Sequence, residues 1–355
     1  MTTFTLYQAT LELATSVVAA DRAHDVRPTL FLRASDGALE GWSECPAAVA
    51  RGVDPSADEL VGALGALLDL DLDVARRAVD TPSPAARGLL GAALLDLGLR
   101  HEQQSLAAAL GVASSDVGFA GVVGIQAPDL ARERALALVA LGASRLRVKV
   151  SPLAGTEALT AVLDAVDVPV AADANGSFTP EADQHGIDEL LALPLAWLEQ
   201  PFAPGRLEDS AALASTTTVP IGLDESATSL QAIREAARLG AASVICVKPM
   251  RFGIHGALRA RREAGRLGMR SYVGGYFEAG LGRAVLGALS ALDGDLDGDV
   301  VAPCTYLATD PCALAGPSGG RQPLHVTPGC GPIPDVTGMI VRLERDASEP
   351  PRPQS

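Results

Sequence analysis

A parallel (β/α) barrel capped by a smaller α+β unit is the fold class that this 355-residue sequence predicts, and three observations carry it. First, five charged residues close short apolar runs at nearly constant spacing: Lys149, Asp173, Glu199, Asp224 and Lys248, at intervals of 24, 26, 25 and 24 residues. Each interval has the length of one strand, one loop and one helix, and the chemistry of such barrels sits at the C-terminal strand ends. Second, strand patterns come before helical ones in the N-terminal part, whereas from Val117 onward the two alternate. Third, the chain is long enough for a barrel of about 200–250 residues with a second unit beside it.

In the N-terminal part, residues 4–13, 29–35 and 38–44 read as strands, the last two joined by a turn at Asp36-Gly37. Helical periodicity follows over 56–70 and 84–110, so residues 1–113 are expected to form an α+β capping unit. Residues 114–304 carry the alternating pattern, with strands expected at 117–124, 145–150, 168–173, 195–199, 219–224, 243–248, 269–274 and 298–302. Helices such as 128–141, 229–239 and 254–267 lie between them, and eight strands close a barrel. The segment 305–345, with a strand-like run at 338–344, is expected to return to the capping unit. Residues 346–355 contain three prolines and no apolar anchor, which predicts a disordered tail.

Composition narrows the class of partner. Hydrophobic residues make up 48% and charged residues 20%, as suits a globular enzyme with a large core. Asp and Glu outnumber Lys and Arg by 43 to 28, and a net charge of −15 argues against nucleic acid or an anionic membrane as partner. The N-terminus has no signal-peptide pattern and no run approaches a membrane span, so a cytoplasmic location is expected; self-association is left open. Five cysteines without a CxxC pair predict reduced, structural thiols.

Asp173 lies in Val-Ala-Ala-Asp-Ala-Asn, Glu199 in Trp-Leu-Glu-Gln-Pro and Asp224 in Ile-Gly-Leu-Asp-Glu-Ser. Acidic residues at βα junctions often serve as helix N-caps. Three on consecutive strands, flanked by lysines, instead converge on one barrel rim, where their mutual repulsion calls for a cation. An all-oxygen set favours a hard ion, Mg²⁺ first and Mn²⁺ second. Lys149 and Lys248 would face a bound substrate from opposite sides, and partial desolvation beside a cation is expected to push their pKa values down toward the range of a general base. Such an array suits removal of a proton α to a carboxylate in a small anionic substrate, with the resulting enediolate held by the divalent ion. A Schiff-base lysine would not need the carboxylate trio.

Together these signatures resemble the enolase superfamily, in its muconate-lactonizing-enzyme-like branch, strongly from Val117 to Pro303 and more weakly over Gly41-Trp42-Ser43-Glu44-Cys45 and Ala86 to Glu102. Within it, Leu223-Asp224-Glu225-Ser226, Val247-Lys248-Pro249 with Arg251-Phe252-Gly253, and Gly274 to Arg283 are similar to o-succinylbenzoate synthases, especially those that also racemise N-succinylamino acids. The resemblance implies Asp173, Glu199 and Asp224 as Mg²⁺ ligands and Lys149 and Lys248 as the acid/base pair. It further implies Arg147, Asn175, Gly274 and Gly275 near the substrate, and a mobile substrate loop at 19–28 within a lid at 17–28. Glu278 and Arg283 could equally form a structural ion pair. No histidine ends the seventh strand, which speaks against the mandelate-racemase-like subgroup. Asp293 to Asp299 contain the Asp-x-Asp spacing of dipeptide epimerases but read as an acidic loop ahead of the eighth strand.

Departures from the branch are Arg147 in place of the first lysine of Lys-x-Lys, the apolar pair Val122-Val123 at the end of the first strand, and an atypical 19–28 segment. The expected function is Mg²⁺-dependent proton abstraction α to a carboxylate, specifically o-succinylbenzoate synthase, a syn dehydration in menaquinone synthesis. The alternatives are N-succinylamino acid racemase, then a cycloisomerase or dipeptide epimerase. The non-enzymatic alternative is a catalytically silent metal-binding barrel.

Overall fold

The structure, a computed structural model, describes residues 2–19, 22–50, 52–70, 83–292 and 296–346. The expected disordered tail lies outside the described residues apart from Asp346.

In the cap, β1 (Thr3–Ala19), β2 (Arg22–Ser35) and β3 (Glu40–Pro46) pair antiparallel, and β13 (Ile340–Asp346) adds to the free edge of β1, giving the order β13-β1-β2-β3. Thr3 stands opposite Asp346, so the C-terminal strand completes the N-terminal sheet. Among the described residues two helices cover this sheet, α1 (Ala57–Leu68) and α2 (Pro84–His101). The first starts at a capping box in which the Ser56 hydroxyl and the Glu59 carboxylate each satisfy the other's backbone N–H. Leu60, Leu64, Leu89 and Leu90 meet Phe4, Leu6, Leu30 and Leu32 in one buried cluster. Gly41 is required there, because a Cβ would run into the backbone of α2 at Ala93 and Leu97.

Outside the cap sheet, β4 (Asp116–Val117) and β12 (Gln322–Pro323) form a short antiparallel pair, and the barrel is a parallel sheet in simple sequential order: β5 (Ala120–Val123), β6 (Arg145–Lys149), β7 (Val170–Asp173), β8 (Leu198–Glu199), β9 (Ile221–Leu223), β10 (Val244–Val247) and β11 (Arg270–Val273). Residues two apart point the same way along a strand, so the interior is layered. Arg147, Ala171, Trp197, Gly222, Cys246 and Tyr272 stand one step below Lys149, Asp173, Glu199, Asp224, Lys248 and Gly274. In that lower layer Ala171, Trp197, Cys246 and Tyr272 form a separate buried cluster, with the Trp197 and Tyr272 rings 5.9 Å apart. Gly222 makes room for the indole: a Cβ there would lie 2.8 Å from Trp197 Cδ1.

The structure corrects the expected eighth strand. Residues 298–302 form no strand; closure is made by Gly298, whose carbonyl accepts from Ala120 at 2.8 Å, and Asp299, whose N–H donates to the Val273 carbonyl at 2.9 Å. Past this point the Ala302 N–H is taken by the Gln322 side chain at 2.8 Å and Pro303 has no N–H, so the ladder cannot continue. Within 19–28, the described residues 19 and 22–28 also differ from expectation. Instead of a loop, the ends of β1 and β2 extend as a paired arm, with Val17 opposite His24 and Val18 opposite Ala23, after an irregularity between Glu12 and Val17. That arm is tied to the barrel by the Ile125 N–H donating to the Val18 carbonyl at 2.9 Å.

Candidate active site

Lys149, Asp173 and Glu199 end their strands, whereas Asp224 and Lys248 follow theirs by one residue. Lys149 is level with Asp173, and Asp173 with Glu199, so three of the five form one row across neighbouring strands. All three carboxylates are buried, as is Lys248, while Lys149 is partly buried.

Each carboxylate is held by a different set of donors. The Lys149 ammonium lies 2.6 Å from Asp173 Oδ2, and the Asn175 N–H donates to Oδ1 at 3.0 Å. Asn175 is in the left-handed region at φ 46°, which an asparagine tolerates better than most residues. Glu199 accepts from Arg147 at 2.9 Å, from the Tyr272 hydroxyl at 2.7 and 2.8 Å and from Trp197 Nε1 at 3.0 Å. Burial pushes its carboxyl up to about 7; Arg147 opposes this, and the neighbouring Asp173 and Asp224 add to it. Asp224 receives Lys248 Nζ at 2.6 Å and Arg251 at 3.0 Å. Burial would raise the Asp224 carboxyl, but the two cations outweigh it and hold it below the usual range.

The expected depression of the lysine pKa values is corrected at Lys248. Burial acts downward there, yet the Asp224 carboxylate at contact distance prevails and raises the ammonium above its ordinary value. Lys248 also sits 4.1 Å from the centre of the Tyr276 ring.

Arg147 and Lys149 occupy successive inward positions on one strand. The Arg147 guanidinium spans three carboxylates: Glu199 at 2.9 Å, Asp299 at 2.6 Å and Asp173 at 3.6 Å. Asp299 is thus a buried member of the site rather than part of an acidic loop, a correction to the sequence reading; Asp293 and Asp295 lie outside the described residues. Of the proposed substrate contacts, Arg147, Asn175 and Gly275 line a cavity of about 370 Å³ that also exposes Lys149 and Lys248. Gly274 is not among its walls: a side chain there would collide with Cys246 and the Lys248 stem. Glu278 and Arg283 do form a buried ion pair, at 3.2 Å.

Several residues that shape the site were given no role in it from the sequence. Gln200, at φ 40°, accepts the Asp224 and Ser226 N–H groups on one amide oxygen at 3.1 and 3.0 Å, fixing the loop after β9. Arg251 joins Asp224 to Asp54 of the cap, 3.0 Å from each. Tyr272 was missed, although i, i+2 counting from Gly274 places it one step down the same strand. Val17, His24 and Arg27 reach the cavity from the paired arm.

The donor set fits a hard divalent cation. Oxygens of Glu199 and Asp224, with the Cys246 thiol, lie within 4.8 Å of one another; Asp173, on the strand next to that of Glu199, is not drawn into this group, its Oδ2 being held by Lys149 at 2.6 Å. Glu225 lines the same cavity with Oε2 buried and unpartnered, and its carboxyl is raised by burial and then by Asp224 and Asp173, the mark of a site short of positive charge. Burial, reinforced by Asp224, keeps the Cys246 thiol well above its ordinary pKa, so the carboxylates are the better candidate ligands for a hard ion.

The family described as Enolase C-terminal domain-like matches residues 129–339. An N-succinylamino acid racemase of Amycolatopsis is 34% identical over 338 residues, covering 89% of this chain and 90% of that protein. An o-succinylbenzoate synthase of Geobacillus stearothermophilus is also 34% identical, over 267 residues, 73% of this chain and 68% of that one. The crystal structure of N-succinyl Arg/Lys racemase from Bacillus cereus superposes with a TM-score of 0.84 at 18% identity, covering 97% of this chain and 98% of that one, and so shares the fold. With that family match over more than half its length and those relatives, the chain is an enzyme of the enolase superfamily.

Proposed function

We propose that the protein abstracts the proton α to the carboxylate of a succinyl-bearing acid, forming an enediolate, and that the specific reaction is the dehydration carried out by o-succinylbenzoate synthases. The observation that carries this is the placement of Lys149 and Lys248. They open onto one cavity from β6 and β10, with the strands of Asp173, Glu199 and Asp224 between them. An amine on each flank can take a proton from, or return one to, either face of an α-carbon held there. A divalent cation held by Asp173, Glu199 and Asp224, Mg²⁺ first, would supply positive charge against the substrate carboxylate. Around it, Arg147, Tyr272 and Trp197 fix the orientation of Glu199, and Arg251 does the same for Asp224.

N-succinylamino acid racemisation is the second reading. It is favoured by the presence of a base on each flank and by the racemase that aligns with 89% of the chain. A dipeptide epimerase is less well supported, because Asp299, the buried acid that could hold a substrate ammonium, is already paired with Arg147 at 2.6 Å.

The test incubates wild type, Lys149→Arg and Lys248→Arg in deuterated buffer with Mg²⁺ and each succinyl substrate, following α-proton exchange and product by NMR. In Lys248→Arg, dehydration should persist at a reduced rate because the cation is retained. Racemisation should vanish because a guanidinium is no base at neutral pH. Wild type that neither forms o-succinylbenzoate nor exchanges the α-proton of any N-succinylamino acid would defeat both readings.

A further inference from the structure

The cavity has a second cationic group that the proton-transfer chemistry does not use. Arg27, on β2, is only 2% exposed and lines the cavity wall. Its guanidinium makes no hydrogen bond or ion pair to any described residue; Nε is buried and unpartnered, and Cζ lies 5.8 Å from the centre of the Phe277 ring. A buried cation without a carboxylate partner is costly, and burial accordingly lowers the Arg27 pKa.

The acids whose fields reach Arg27 are committed elsewhere. Glu278 is paired with Arg283 and accepts the Tyr276 N–H at 2.7 Å, and Asp54 is paired with Arg251. A protein of net charge −15 that leaves this guanidinium bare inside its reaction cavity keeps it for an anion from outside. Arg27 comes from the cap arm, whereas Lys149, Lys248 and the carboxylates belong to the barrel. The reacting end of a substrate is therefore set by one unit of the fold and its far end by the other.

We propose that Arg27 is the subsite for a second carboxylate of the substrate, remote from the one whose α-carbon reacts, so that the enzyme selects dianionic acyl compounds over their monoanionic counterparts. A guanidinium can take a carboxylate in a two-point fork that no lysine reproduces, and the Phe277 ring beside it offers an apolar wall for the methylenes that lead there. This assignment rests on the succinyl-bearing substrate class proposed above and names the residue that would recognise it.

The experiment measures equilibrium binding, not turnover. N-succinylglycine and N-butyrylglycine differ in that a methyl replaces the distal carboxylate. Each is titrated calorimetrically, with Mg²⁺ present, into wild type, Arg27→Gln and Arg27→Lys, after circular dichroism has established that each variant is folded. Wild type is expected to bind N-succinylglycine at least tenfold more tightly than N-butyrylglycine. Arg27→Gln should lose that preference while keeping its affinity for N-butyrylglycine, and Arg27→Lys should keep part of it. Equal affinities in wild type, or an undiminished preference in Arg27→Gln, would overturn the proposal. Because no proton transfer is read, selective binding without α-proton exchange would uphold the subsite while refuting the proposed reaction.

Discussion

Replacing Gly222 by alanine adds one methyl group at the point where the barrel interior is least able to yield. A Cβ at this position would stand 2.8 Å from Trp197 Cδ1 and 3.2 Å from Nε1. The indole cannot move aside freely: the Tyr272 ring lies 5.9 Å away, the Arg145 guanidinium lies 5.0 Å from its centre, and Nε1 donates to Glu199 at 3.0 Å. Overpacking of this kind costs about 1–3 kcal/mol. If the indole turns and abandons Glu199, loss of a hydrogen bond to a charged acceptor adds about 1–3 kcal/mol. The expected destabilisation is therefore about 1–3 kcal/mol if the indole keeps its bond to Glu199 and about 2–6 kcal/mol if it does not, read from denaturant unfolding followed by tryptophan fluorescence. A double-mutant cycle with Trp197→Ala isolates the clash, since truncation at Cβ removes Cδ1 and Nε1; a coupling of about 1 kcal/mol or more in the favourable direction is expected. Stability of Gly222→Ala within about 0.5 kcal/mol of wild type, or strictly additive effects, would refute the reasoning.

Asp173→Asn, Glu199→Gln and Asp224→Asn should each abolish turnover, and excess chelator should silence the wild type; full activity in chelator would contradict a metal-dependent reaction. The pH dependence of stability should carry the signature of Glu44, which accepts the Ala279 and Gly282 N–H groups at 2.6 and 2.7 Å. Burial, reinforced by Glu278 and Asp310, pushes its carboxyl up to about 8 against an ordinary 4.5. Because the folded value is the higher one, the stability it contributes is complete below about pH 4.5 and is lost as pH rises through about 8. Thermal midpoints of wild type should therefore fall relative to those of Glu44→Gln between pH 5 and pH 9, and parallel curves for the two proteins would show that Glu44 does not titrate in this way.

The five charged residues at strand ends were legible because their spacing follows from the chain needed to make a strand, a loop and a helix. Their convergence follows from closing the sheet. Asp299 was misread because it was placed relative to a strand that the backbone does not form; what puts it in the site is the Arg147 guanidinium, 152 residues away in sequence yet adjacent once the barrel closes. Arg27 gave no signal because nothing in Val-Arg-Pro-Thr tells a solvent-facing arginine from one turned into a cavity. Gln200 sits in plain view between Glu199 and Pro201, but its function lies in hydrogen bonds to the next strand's loop. The depressed lysine pKa expected from burial failed at Lys248 for a physical reason. Burial and pairing act with opposite signs, and only coordinates show a carboxylate at 2.6 Å.

The pairing of Thr3 with Asp346 has a consequence for how the molecule is made. During synthesis β1 is made before β13, and one of its edges has no partner until the whole barrel has been translated, so the cap sheet is closed after the barrel strands are available. Contacts of such long sequence separation form slowly, although the entropy of closing so large a loop grows only logarithmically with its length. In the interval an unpaired strand edge is open to the wrong neighbours. Joining Asp346 to Thr3 by a short linker and opening the chain elsewhere would place β13 and β1 side by side from the start, turning the most distant contact in the sequence into a hairpin.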